Sequence, residues 1–505
     1  MLTVYELWIV MISLLVLKLC HSIYQWRNPK CNGNLPPGSM GFPIIGETFE
    51  FMKPHDALQF PSFVKKKTIR HGPVFRTSLF GGKVIISMDN ELNMEMAKTN
   101  RTIGVPKSIT RLFGNNNLFV QSIDSHKHVR SLTFQLLGPQ GLRLRLIEDI
   151  DLLTRTHMKE GARNGFLDVK ETSSKILIEC LAKKVMGDME PETAKELAIC
   201  WRKFPSGWFR FPFKLPGIGV YNMMTARKRM MNLLKEVVLK KRASGEEFGE
   251  FFKIIFGEKE GGKEKMRVED AIDYIYTFFL IANETTPRIL AATVKLISEK
   301  PTVMRELQRE HARILGDRTD KDAGLSWEDY KSMTFTHMVI NESLRVTTTV
   351  PVVLRKPDHD IQVGDYTIPA GWTFMGYPNV HFNPEKYEDP LVFNPWRWEV
   401  VSSVTYILLI PLIKSLNFLT YIKNSQGKDL SALVTKNYIP FGAGPRLCVG
   451  AYFAKLLMAV FIHNLCRYRW SMKAETTVTR SYMLMFPFGC DVQFSEDTEG
   501  DKTGG

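Results

Sequence analysis

Paired cysteines are missing from this 505-residue chain: Cys20, Cys31, Cys180, Cys200, Cys448, Cys466 and Cys490 are odd in number and scattered, and none stands in a Cys-x-x-Cys spacing. That excludes a disulfide framework and a zinc knuckle, and it fits a reducing compartment. Internal repeats are absent, as is any long Pro/Gly/Ser linker, so one large domain is the simpler organisation. No nucleic-acid module and no basic stripe interleaved with aromatics accompanies the formal charge of +14, which leaves an anionic membrane surface or an acidic protein partner to meet it. What is present is ordinary globular material, 44% hydrophobic and 24% charged, enough for a sizeable core.

A basic n-region and a small-residue cleavage site are also lacking at the start of the chain, which argues against a cleaved signal peptide, the rival reading for the apolar run from Leu7 to Leu17. Residues 2–20 together approach the roughly 20 apolar positions of a bilayer span if flanking charges snorkel. Lys18, Arg27 and Lys30 follow the run, so the positive-inside rule leaves the body of the protein in the cytosol. Pro36, Pro37 and Pro43 then stiffen a hinge over residues 33–46.

Beyond the hinge, residues 47–494 form the body. Two β-branched or aromatic runs around Gly81 and Gly82 predict a hairpin between Gly72 and Met88. Amphipathic periodicity predicts helices over His126–Leu137, Leu142–Glu160, Asp168–Met186, Pro191–Arg202, Val220–Ala243, Val268–Ser298, Thr302–Ile314 and Trp327–Leu344, with extended segments over Val350–Ile368 and near the C-terminus. The fold class is mainly α with small β-sheets. Residues 495–505 read as a disordered tail.

One cysteine stands apart. In "FGAGPRLCVG" the pattern F-x-x-G-x-R-x-C-x-G fixes Phe441, Gly444, Arg446, Cys448 and Gly450. Average residue usage gives such a match by chance about once in ten thousand chains of this length. The stretch resembles the haem-binding loop of the cytochrome P450 superfamily. The resemblance implies haem b, with Cys448 as axial ligand to its iron and Arg446 paired to a propionate. The residue chemistry agrees: glycines permit a tight turn and close approach to a flat group, and a helix beginning after Cys448 favours a thiolate.

Other family elements occur in order. Glu-x-x-Arg places two side chains on one helix face, but it occurs three times, at Glu306/Arg309, Glu310/Arg313 and Glu342/Arg345. The segments that follow "NESLR" select Glu342 and Arg345, with Arg397 of "NPWRW" completing a bracing network; the other two pairs read as solvated faces. "LIANETTPRIL" resembles the oxygen-activating helix, with Thr285 placed to hold water beside the reacting oxygen and Glu284 to feed protons inward. Here Ala282 stands where glycine is commonest and Ile281 where alanine or glycine is, which implies a narrower groove. His126 and Arg130 occupy the positions of the family's W-x-x-x-R, and Arg355 those of a sheet arginine, so that four groups including Arg446 would neutralise two propionates. A His126/His128 metal site is disfavoured because i and i+2 point apart on a helix.

The style of the motifs is similar to the plant microsomal clan that oxidises brassinosteroids, abscisic acid, gibberellin precursors and triterpenoids. This implies a mono-oxygenase of the endoplasmic reticulum membrane, facing the cytosol, using O2 and NADPH electrons from cytochrome P450 reductase to hydroxylate a large apolar molecule. Pocket candidates are Val105, Leu112, Phe113, Trp208, Phe209, Phe211, Phe278, Ala282, Val350 and Val353, with membrane contact as the alternative for the loop around Trp208.

The departure from the family lies between Trp398 and Phe441, a stretch longer than members usually have. Residues 400–426 carry an apolar run, but Pro411, Lys414 and Asn417 make a poor membrane span. Val400 to Gln426 has ends compatible with splice-site dinucleotides, and removing it restores "RWEGKDLSALVTKNYIPFGAG", so a retained intron is preferred over a lineage-specific loop. The rival to an active enzyme is therefore an inactive or misfolded product in which an exposed apolar insertion blocks reductase docking or haem loading.

Overall fold

The computed structural model describes residues 4–99, 102–104, 113, 123–187, 192–193, 196–197, 200, 219–246, 248–249, 251–253, 267–316, 323–350, 352–399, 438–473, 475–481 and 483–496. Val105, Leu112, Trp208, Phe209, Phe211 and the stretch 400–426 lie outside them.

Helix α1 (Val4–Arg27) is long and apolar enough over Trp8–Arg27 to cross a membrane, and none of that segment is buried in the protein. Trp26, near its end, packs with Leu35 against a cluster containing Ile85 and Trp372. The proline-rich stretch is itself pinned to the body: Gly38 bridges Arg76, and Gly46 bridges Leu79. It is thus less of a free hinge than its prolines suggest.

The expected hairpin is present as β2 (Val74–Leu79) and β3 (Gly82–Ser87), antiparallel with Phe75 opposite Ile86. Its turn residues Phe80 and Gly81 both have positive φ, the two-residue geometry that matches strand twist. Strand β8 (Thr373–Gly376) adds parallel to β3, and β5 (Val353–Arg355) adds antiparallel to β8, placing Arg355 on the edge strand of a four-stranded sheet. A smaller sheet joins β1 (His55–Asp56), β10 (Thr479–Arg480) and β11 (Leu484–Met485). In a third, β12 (Asp491–Glu496) runs between β4 (Phe166–Asp168) and β9 (Tyr468–Met472), so Ser495 and Glu496 belong to a strand and not to a tail.

Helices make up the rest. Helix α8 (Val268–Ser298) is apolar over most of its circumference, so it is buried over most of its length. Against it pack α6 (Val169–Met186), α7 (Gly219–Ser244), α9 (Pro301–Gly316), α10 (Thr334–Thr347) and α11 (Ala451–Leu465). The helix expected from Leu142 begins as a π-helical turn over Leu142–Leu146 and continues as α5 (Ile147–Asn164). The helix expected over Trp327–Leu344 is two: Trp327–Ser332, started by a Ser326/Asp329 capping box, and α10, with Met333 as the break. Helix α4 (Ile123–Leu137) carries His126 and Arg130.

Candidate active site

Cys448 lies between the α10–α8 core and the four-stranded sheet, at the end of a loop held by its own backbone. The Cys448 amide donates to the Phe441 carbonyl at 3.0 Å, Gly442 N donates to Ile439 O at 3.0 Å, and Leu447 N donates to Gly444 O at 3.0 Å. Gly442 and Gly444 sit at φ 76 and 70, in the left-handed region. At Gly444 a Cβ would also come within 2.5 Å of the Ala97 carbonyl, so a side chain there must push a backbone aside. At Gly450 a Cβ would rest 3.9 Å from the Cys448 sulfur, an ordinary contact, so no steric conflict within the protein itself demands that glycine. Deep burial pushes the Cys448 thiol up, against the pull of a hydrogen bond from Gly450 and the charge of Arg130. The sulfur is nonetheless accessible, because the surface it presents belongs to an internal cavity.

That cavity measures ≈ 370 Å³. Cys448, Phe441, Gly442, Arg446 and Gly450 line one side, and Phe278, Ile281, Ala282, Thr285, Thr286 and Ile289 of α8 line another. Val350 of the loop after α10 and Val353 and Arg355 of strand β5 close it. Of the pocket residues expected from sequence, Phe278, Ala282, Val350 and Val353 are thus on the wall, while Phe113 is buried in the helical core. The Thr285 hydroxyl donates to the Ile281 carbonyl at 2.9 Å, which leaves its oxygen to accept. Glu284 is not on the wall; it is buried and ion-paired at 2.8 Å with Arg288, whose other nitrogen donates to Leu484 O.

Beneath the loop is the bracing network. Glu342 and Arg345 are fully buried and doubly hydrogen-bonded at 2.8 and 2.9 Å, and Arg397 Nε reaches the same carboxylate at 2.9 Å. Sequence reading missed two members. Trp398 donates its indole N–H to Glu342 at 2.9 Å. His381 offers its carbonyl to Arg345 at 2.6 Å and accepts the Ile439 amide on Nε2 at 2.9 Å, tying the network to the start of the cysteine loop. Burial and then the nearby Arg345 charge hold His381 down to about 3, so its ring is neutral and able to accept. "HFNP" was visible, but nothing in it signals a bridge between segments 58 residues apart.

The other Glu-x-x-Arg pairs divide. Glu306 and Arg309 are exposed, as expected. Glu310 is not: its buried carboxylate accepts the amides of Phe335 and Thr336 and the Thr336 hydroxyl at 2.6 to 2.9 Å, capping the start of α10 from another helix.

Positive groups converge above the loop. Arg130 donates to the Leu447 carbonyl, and Arg355 donates to the Ala97 carbonyl at 2.9 Å, while Arg355 Nε is buried with no hydrogen-bond partner among the described residues. No carboxylate pairs with Arg130 or Arg355 among those residues. Burial, followed by the fields of Arg446, Arg130 and Arg355, pushes His126 down to about 4. Burial with Arg446 beside it lowers Arg355 to about 10. A buried Arg355 and a half-buried Arg130 with no carboxylate partner among the described residues are costly, so the arrangement fits a dianionic group in the cavity. The open space beside Gly442, where a Cβ would meet nothing within 4 Å, and the accessible sulfur of Cys448 fit a flat, thiolate-ligated one. The residues present therefore suit haem.

A thiol at the floor of an apolar chamber, a hydroxyl-bearing helix across from it and a buried Glu–Arg–Arg brace define a haem-thiolate oxygenase. The family model of Cytochrome P450 matches residues 36–489, and the chain belongs to that family of mono-oxygenases. It is 36% identical over 496 residues to Cytochrome P450 708A2 of Arabidopsis thaliana, covering 97% of this chain and 98% of that one. It is 32% identical over 499 residues to cucurbitadienol 11-hydroxylase of Siraitia grosvenorii, covering 97% and 99%. Among solved structures, a retinoic acid-bound cyanobacterial CYP120A1 shares the fold with a TM-score of 0.76 at 21% identity, covering 92% of this chain and all of that one.

Proposed function

We propose that this chain is a membrane-anchored mono-oxygenase that hydroxylates a large apolar molecule of the sterol or triterpenoid class, using haem b and NADPH electrons delivered by cytochrome P450 reductase. The observation that carries the reading is the ≈ 370 Å³ cavity with the Cys448 sulfur on one wall and Thr285 on another. Hydrophobic side chains dominate the rest of the lining, which suits a hydrocarbon skeleton. The hydroxylase from Siraitia supports the substrate class.

When bound, haem supplies activation of O2 and oxidation of a C–H bond, favoured by a thiolate ligand. The chain's part is placement. Cys448 would hold the haem iron, and Arg446, Arg130, Arg355 and the neutral ring of His126 would hold its propionates. Thr285, its proton committed to Ile281 O, would accept a hydrogen bond from a water and hold it on the cavity side of α8. Glu284 feeds protons from behind that wall, its carboxylate held by Arg288. The apolar side chains of α8 exclude bulk water and set which carbon approaches. Helix α1, long and apolar enough to cross a bilayer, supports a membrane anchor, and our reading puts the anchored enzyme in the endoplasmic reticulum membrane with its body in the cytosol and its cysteine loop turned to the reductase.

The test is the reduced, carbon monoxide-bound spectrum of the purified full chain, followed by turnover of sterols and triterpenoids with reductase and NADPH. A thiolate-type Soret band that disappears in Cys448→Ser, together with a hydroxylated product, is expected. A colourless protein overturns the reading in favour of an inactive product, and a band unaffected by that substitution overturns the assignment of Cys448 as the ligand and with it the reading.

A further inference from the structure

Helix α8 carries four threonines, and three of them commit their hydroxyls to the helix itself. Thr277, Thr285 and Thr293 each donate to the carbonyl four residues back, at 2.8, 2.9 and 2.8 Å. Thr286 forms no such bond among the described residues, although it is only 5% exposed and lines the cavity. Pro287 follows it inside the helix. A proline has no N–H, so the Asn283 carbonyl one turn back lacks the amide that an α-helix would bring to it. Asn283 is half-buried, stands off the cavity wall, and accepts the hydroxyl of the half-buried Ser174 on α6. Asn283 and Thr286 are i, i+3 neighbours, and Asn283 and Pro287 are i, i+4 neighbours. The under-bonded carbonyl, the cavity hydroxyl and the polar seam between α6 and α8 therefore adjoin on one flank of the helix.

Glu284 is not on that flank. It lies about 200° round the helix from Ala282, with its carboxylate tied to Arg288. We propose that Thr286 and Pro287 are positioning residues of a second proton entry, in which a water bridges the Asn283 carbonyl and the Thr286 hydroxyl and links the α6–α8 seam to the chamber. This rests on the reading of the cavity as the reaction chamber and goes beyond the roles of Thr285 and Glu284. Buried water takes about two to four hydrogen bonds, and the carbonyl, the hydroxyl and the Asn283 and Ser174 side chains supply them. In each pass the bridging water gives a proton to the Thr286 oxygen, Thr286 gives its own proton to the water held at Thr285, and solvent entering along the seam restores the first. One proton crosses and no electron moves. Pro287 keeps the carbonyl open to water, and Thr286 carries the proton past the wall.

The experiment has two arms, both on the haem-loaded full chain. In a crystal structure, a water within hydrogen-bond distance of Asn283 O and Thr286 Oγ1 is expected, and Pro287→Ala, which returns an amide to that carbonyl, should displace it. In solution, the chain is mixed with cytochrome P450 reductase, NADPH and O2 without substrate. Release of hydrogen peroxide needs fewer protons per O2 than reduction to water, so the ratio of the two products reads the proton supply. The comparison is made in the parent chain and in a Glu284→Gln, Arg288→Met double variant, which closes the first entry without stranding a buried charge. In the double variant, Thr286→Val and Pro287→Ala should each raise the peroxide-to-water ratio by roughly 10-fold, and Thr286→Ser should restore it. Should Pro287→Ala fail to load haem, Thr286→Val carries both arms. Crystals of the parent chain without that water, or a ratio unmoved by Thr286→Val in the double variant, overturn the proposal. The carbon monoxide spectrum of the same samples separates the two failures: a thiolate-type band with an unmoved ratio overturns the second entry alone, whereas a missing band overturns the reading of the cavity.

Discussion

Glu342 collects hydrogen bonds from Arg345, Arg397, Trp398 and the Asn394 amide while wholly removed from solvent. Replacing it with Gln deletes one charge and strands two, and breaking a buried pair in this way costs about 3 to 5 kcal/mol. We expect Glu342→Gln to accumulate little haem-loaded protein, checked by haem-to-protein ratio and thermal unfolding, with Glu306→Gln on the exposed pair as an unaffected control. The three Glu-x-x-Arg pairs look alike in sequence because the motif records only an i, i+3 spacing. What separates them is the surroundings, and those come from distant segments: Glu310 is buried because α10 begins on it, which no residue within its own helix announces. The same distance hides His381. Its ring and that of His311 are both held down to about 3 by burial, against 6.5 for an exposed imidazole. Each is neutral when folded but takes a proton in the unfolded chain below about 6.5, so their contribution is intact above that pH and is lost as pH falls toward 3. The slope is roughly 1.4 kcal/mol per pH unit for each ring. Melting temperature should therefore fall steadily on acidification below pH 6.5, and less steeply in His311→Asn.

The elements were mostly legible. Periodicity located α8 to the residue because its 31 positions alternate helix-compatible apolar faces with few breakers, and the hairpin was marked by Gly81 and Gly82. Boundaries failed where a cap is non-local, as at Met333, or where a turn is wound wider than an α-helix, as at Leu142–Leu146. Along α8 the functional face is the one that carries Ile281, Ala282 and Thr285 onto the cavity. Thr285→Val keeps the shape and removes the acceptor. NADPH consumption should continue while product per NADPH falls by roughly 100-fold, and Thr285→Ser should recover most of it. In the cysteine loop, Gly444→Ala meets both an unfavourable φ and the Ala97 backbone at 2.5 Å. That substitution should displace the loop and lower haem occupancy, whereas Gly450→Ala, free of conflict within the protein, reports on how closely the cofactor approaches.

At the scale of the whole molecule the open matter is the stretch between the brace and the cysteine loop. Trp398 and Tyr438, on either side of it, are in ring contact with centroids 4.6 Å apart, and both belong to the proximal core: Trp398 through Glu342, Tyr438 through the Asn341 carbonyl. The two flanks therefore meet, and the connection between them has no long gap to span. With residues 400–426 removed, Glu399 joins Gly427 and the remaining residues 427–437 reach up to about 36 Å when extended, far more than the flanks require. A shorter connection also closes at a lower entropic cost, by about 1 kcal/mol for this change in length. We expect the deletion of 400–426 to leave the Glu342 network and the carbon monoxide spectrum intact, to raise the yield of haem-loaded protein by removing an apolar run, and to match the message sequenced from the source tissue. A deletion variant that no longer binds haem, or a fully spliced transcript that still encodes Val400 to Gln426, makes the stretch a genuine part of this enzyme.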